Sequence, residues 1–124
     1  MINLSRIIAG FLGLLFLISG LQWIISPAEI ADSLGMPLLT GLGLSTQIGD
    51  LGSFFITVGA MTLIGAYTRN DHWFFAPSML LLVAALYRIF STLFYDAAFA
   101  TEQIAVEIIV GLFLLYTSSR IKEA

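Results

Sequence analysis

The chain has 124 residues, of which 59% are hydrophobic and only 10% charged, with a net charge of −3 and no cysteine. Soluble globular domains carry roughly 25% charged residues, so this composition, with a mean hydropathy of +0.99, excludes a soluble enzyme or binding domain. The missing cysteine excludes disulfides, thiol catalysis and thiolate metal sites, and the lone His72 cannot build a histidine-rich metal or haem site. Five cations leave no basic surface for nucleic acid, and no cofactor is expected.

What remains is an integral membrane protein. A helix crossing the hydrocarbon needs ~20 apolar residues. Four segments meet that length: Ile7–Ile25, Ile48–Tyr67, Phe74–Tyr95 and Gln103–Ser118. Nothing alternates with a period of two, so a barrel is excluded and helices are the form that satisfies the backbone in lipid. The expected fold is all-α: a single membrane domain over 1–124, built as a bundle of four transmembrane helices.

The first span follows Arg6 and resembles a secretory signal, but its apolar run exceeds the ~7–15 residues of a signal core, so a retained span is expected. After it, Ser26-Pro27-Ala28-Glu29 reads as a capping box with proline at the first helical position. Ile30 and Leu34 then share one face, Glu29, Asp32 and Ser33 the other, and Gly35 and Pro37 stop the helix. A short amphipathic interfacial helix is therefore expected between the first two spans. Met36–Gln47 is apolar but broken by glycine; it either covers the mouth of the bundle or is a plain connector. Gly10, Gly13 and Gly20 in the first span, with Gly49, Gly52, Gly59 and Ala60 in the second, are spaced for close helix approach.

Charge fixes the expected orientation. Arg6, Arg69, Arg120 and Lys122 flank the spans on one side, whereas the connections Ser26–Gln47 and Asp96–Glu102 contain no Lys or Arg. The positive-inside rule then puts both termini on the cytoplasmic side of the membrane. Trp23 and Tyr95 fall at the outer boundary and Tyr67 and Trp73 at the inner one, as an aromatic belt requires.

Four polar residues gather in the outer third. At 1.5 Å per residue, Arg88 lies ~10 Å inside the end of the third span and Glu107 ~6 Å inside the start of the fourth. Asp50 is near the outer start of the second span and Gln22 near the outer end of the first. An Arg or Asp in mid-span costs ~2.5–3.5 kcal/mol on insertion scales, so such residues face inward and pair. Arg88 has two candidate partners, Glu107 and Asp50. Ser91, Thr92 and Tyr95 continue a polar stripe from Arg88, Tyr87 borders it, and Gln103 and Glu107 form a matching stripe on the fourth span. Two readings stand at this point: a clamp that holds two helices in register, or a site that uses Arg88, Glu107, Asp50, Gln22 and Tyr87 as ligand-binding residues. Asp50 also reads as a complement to a helix N-terminus, and Asp96 and Glu102 as solvated loop charges, with Glu102 likewise at a helix start.

The stretches SGLQWIISPAEIADSLG, GDLGSFFITVGAMTLIG, LYRIFSTLFYDAA and VEIIVGLFLL together resemble the DoxX-like superfamily of small membrane proteins. The likeness extends to an uncharacterised bacterial family of about this length within it. Arg88, Asp96 and Glu107 stand where the family pattern has an Arg, an Asp and a Glu. Asp50 departs from it, since such families often open the second span with Arg or another polar residue. The resemblance implies a four-helix bundle and no particular reaction.

The function expected from these residues is binding of a lipid-like or quinone-like amphiphile, or service as an accessory subunit, through an outward-opening polar cluster. Arg88 would hold an anionic or carbonyl group and Glu107 would fix Arg88. The alternatives are a proton-coupled transporter, which the absence of an acid in the first span disfavours, and a purely structural subunit. The expected partners are the lipid bilayer, an amphiphilic ligand, and a homo-oligomer or larger membrane complex.

Overall fold

In the computed structural model, which describes residues 4–121, every regular element is helical. The order is α1 (Leu4–Ile25), α2 (Pro27–Ser33), α3 (Gly41–Thr46), a π-helical turn (Gln47–Leu51), α4 (Gly52–Thr68), a 3-10 turn (Asp71–Phe74), α5 (Phe75–Tyr95) and α6 (Thr101–Arg120). Four helices are long and apolar enough to cross a membrane: Leu4–Ile25, Gly41–Thr68, Asp71–Tyr95 and Thr101–Arg120. Large apolar side chains cover their outer faces, among them Phe11, Ile64, Leu86 and Ile109. Such a surface suits lipid and not water. Lys122, one of the cations used to read orientation, lies outside the described residues.

The bundle is two pairs. α1 lies along α4 and α5 along α6, while contacts between the pairs are fewer. The α1/α4 seam is closed by glycine. A Cβ at Gly20 would stand 2.6 Å from Ile56 Cγ1 and 2.7 Å from its backbone nitrogen, and one at Gly59 would stand 2.7 Å from the Gly13 carbonyl oxygen. No side chain fits there, so the two backbones come together as small-residue seams allow. Arg6 fastens the same seam at one end: its guanidinium donates to the carbonyls of Ala66 and Tyr67, two of the last acceptors of α4.

That end of the bundle holds the main apolar core. Phe74 is fully buried, with its ring against Gly65, and joins Ala9, Ala66, Leu114 and Ile121 in one apolar core. Asn70 accepts from the His72 N–H to start the 3-10 turn, and Ser118 Oγ donates to the Asp71 carbonyl.

At the other end α2 folds back over the bundle. Pro27 opens it at the first helical position, as expected, but Ser26 makes no side-chain cap. The reason is local. α1 runs to Ile25, the Ser26 N–H is spent on the Gln22 carbonyl at 2.8 Å, and the Glu29 N–H that the Ser26 hydroxyl would accept from donates to the Ser26 carbonyl at 3.2 Å, so neither half of the box forms. Ile30 and Ala31 face inward and cover Trp23, which is completely buried. Trp23 is thus a packing residue beneath α2 and does not stand in an exposed aromatic belt; Tyr95 and Tyr67 do remain exposed.

The segment after α2 also differs from the expectation. Gly35 turns at φ 78°, Met36–Thr40 is non-helical, and the helix resumes at Gly41, well before Ile48. Buried Gln47 secures this segment: its Oε1 accepts from the Leu39 N–H at 2.9 Å and its Nε2 donates to the Pro37 carbonyl at 3.1 Å. Gln47 also opens the π-turn, so one residue is added to the helix where the Met36–Thr40 segment is tied to it.

Candidate functional site

The inward face of α5 is read from its period: Ser78, Leu81 and Ala85 are buried at spacings of three and four, and Arg88 is the next position on that row. On α6 the corresponding row is Ile104, Glu107, Val110, Gly111 and Leu114. A charged residue therefore stands at a core position on each helix, and the two meet. Arg88 Nε donates to Glu107 Oε1 at 2.9 Å and to Oε2 at 3.1 Å. The Glu107 side chain is 9% exposed and that of Arg88 39%. Of the two carboxylates open to Arg88 in the sequence, the structure pairs it with Glu107. Nη1 and Nη2 of Arg88 make no hydrogen bond among the described residues.

Beside this ion pair is a cavity of about 250 Å³ that lies between the two helix pairs. Phe16 from α1, Phe54 and Phe55 from α4, Leu81 from α5 and Val106 from α6 form its apolar walls. The Phe16 and Phe55 rings are stacked with centroids 6.0 Å apart, and Phe54 meets Phe55 edge-on at 5.3 Å. Arg88, Glu107, Gln103 and Glu102 supply the polar side, and Ser33 and Leu34 at the end of α2 roof it. Ser33, Glu102 and Val106 are exposed, so the cavity is open at this rim. Its floor is Leu81, which belongs to the main apolar core below.

The other residues singled out in the sequence lie elsewhere. Asp50 is exposed and borders two open surface grooves, neither of which includes Arg88. Nor does it stand at a helix start: the helix begins at Gly41, more than two turns earlier, beyond the reach of the terminal dipole. Gln22 is half-buried near the end of α1 and does not line the cavity. Tyr87 is 73% exposed on the outside of α5. The hydroxyls of Ser91 and Thr92 turn back onto the Arg88 carbonyl at 2.7 Å and 3.3 Å, so the stripe satisfies its own helix.

Four contributions to the cavity are not visible in the sequence. The three phenylalanines carry no signal that separates them from other lipid-span aromatics. Glu102, read as a solvated charge at a helix start, is exposed in the first turn of α6 as expected, but it also lines the cavity. Its spacing from Glu107 gives no hint, because the two are not on one stripe.

Chemically the arrangement offers one fixed guanidinium with a free edge, a carboxylate and an amide at the rim, and aromatic walls. Among the described residues, no group of His, Asp and Glu side chains is placed to hold a metal ion. Comparison with protein-family models, curated proteins and solved structures finds no match to this chain.

Proposed function

We propose that the chain is a multi-pass protein of a bacterial inner membrane, of the DoxX-like kind, that binds an amphiphile in the cavity beside Arg88. The guest's polar head meets Arg88 and Gln103, and its apolar part lies against Phe16, Phe54 and Phe55. The observation that carries this reading is the juxtaposition of a part-buried charged pair with an open, aromatic-walled cavity at one end of the bundle. Pockets for small molecules combine apolar walls with a few convergent polar groups in this way. Glu107 serves by holding Arg88, so the clamp and the site are one device.

The charge bias of the connections supports an orientation with both termini in the cytoplasm and the cavity toward the outer face. Cysteines at Ser33 and Thr68, probed with an impermeant thiol reagent in intact cells, should label at 33 and not at 68. Binding itself is tested by native mass spectrometry of protein released from nanodiscs. The unmodified chain should retain a discrete small molecule or lipid, and Val106→Trp, which fills the cavity from its rim, should lose it while unfolding at the same temperature. Equal retention by both would contradict the assignment.

A further inference from the structure

The Arg88 guanidinium has two edges able to meet an oxyanion. Glu107 occupies the Nε position with both of its oxygens, which is an economical grip: it leaves the Nη1/Nη2 edge, a parallel pair of N–H donors, without a partner among the described residues. That fork matches a carboxylate or phosphate. The same cavity is lined by a second carboxylate, Glu102, which is exposed and makes no ion pair among the described residues. Two carboxylates and one guanidinium line the cavity, so its lining carries one negative charge in excess.

This balance discriminates among guests. A simple anionic lipid would satisfy the free edge of Arg88 but add negative charge where it is already in excess. A neutral carbonyl compound would leave Glu102 unused, and a simple cation would leave the guanidinium edge unpaired. A zwitterion whose phosphate meets Nη1 and Nη2 and whose ammonium meets Glu102 pairs every group. Deepening the amphiphile-binding reading on which it rests, we propose that the cavity selects an aminophospholipid headgroup, a phosphate joined to a primary ammonium. A primary ammonium brings three N–H donors to Glu102, whereas a trimethylammonium brings none. The phenylalanine walls select the lipid over the free headgroup, because they require apolar chain to cover them.

The test is competitive loading of delipidated protein with equimolar dioleoyl phosphatidylethanolamine, phosphatidylglycerol and phosphatidylcholine, read by native mass spectrometry. Phosphatidylethanolamine should be retained about tenfold over phosphatidylglycerol, the effect of one charge-assisted hydrogen bond. Glu102→Gln should bring that ratio close to unity. If Glu102 only complements the α6 N-terminus, the substitution changes thermal stability and leaves the ratio alone, which overturns the headgroup assignment. So does phosphatidylglycerol or phosphatidylcholine binding as well as phosphatidylethanolamine. Soluble phosphoethanolamine at the same concentration should fail to displace the lipid; displacement would overturn the lipid as source. Retention of no lipid at all contradicts amphiphile binding itself, whereas retention without this preference removes only the headgroup.

Discussion

The two helix pairs close their seams by opposite means. α1 and α4 come together where side chains are absent, at Gly13, Gly20 and Gly59, and the backbones fill the space. α5 and α6 come together around a charged pair, Arg88 with Glu107, and leave room beside it. The first seam cannot accept a guest and the second is half of a cavity wall. In lipid there is little hydrophobic gain from burying one apolar helix on another, so packing and polar pairing must do the holding. The glycine seam is the scaffold, and the polar seam is where the scaffold was left open.

Damage to the glycine seam should be the most severe. Gly59→Leu would drive a side chain into the backbone of α1 at Leu17 and Gly13. Overpacking of this kind costs about 3 kcal/mol or more where backbone must move. Thermal unfolding in detergent should show a collapse of the transition or no folded protein, whereas a fully stable Gly59→Leu would mean that α1 and α4 are not this close.

Breaking the polar seam should cost less. Arg88→Met leaves the buried Glu107 carboxylate without its partner, and with Arg88 partly exposed the loss should be about 2 kcal/mol. Adding Glu107→Gln should recover part of it. Strict additivity of the two substitutions in the same melting assay would mean that the side chains are not coupled. The mildest change is expected at Asp50, which the structure leaves exposed and away from both seams. Asp50→Asn should stay within about 0.5 kcal/mol of the unmodified protein, as surface substitutions do; a larger loss would return Asp50 to the charge network.

Much of the scaffold was legible in the sequence. Span length, the close-approach glycines Gly13, Gly20 and Gly59, Pro27 and the matching positions of Arg88 and Glu107 along their helices are all one-dimensional features, whereas Gly49, read with those glycines, has no neighbour within 4 Å of a Cβ placed there. What sequence could not supply was rotation. In helices apolar on every side, the hydrophobic pattern does not say which face is inward. Asp50 illustrates this: the π-turn from Gln47 to Leu51 inserts a residue, and each extra residue rotates the preceding part of the helix by ~100° relative to the rest. Trp23 is a second case. Its place near the end of α1 suggested a membrane boundary, but the fold-back of α2 buries it, and that contact depends on a tertiary arrangement with no local signal. Glu102 and the three phenylalanines joined the cavity for the same reason.

A guest between the two helix pairs would lie within reach of a photoreactive side chain placed in the cavity wall. Phe16 and Phe113 are both half-buried and packed against the same core, but only Phe16 lines the cavity. p-Benzoylphenylalanine placed at each position, irradiated in native membranes and followed by intact-protein mass spectrometry, should give one discrete amphiphile adduct at position 16. Position 113 should give only intramolecular crosslinks or the broad distribution of bulk lipid. The same adduct pattern at both positions, or no small-molecule adduct at position 16, would contradict an occupied cavity and leave Arg88 and Glu107 as a clamp alone.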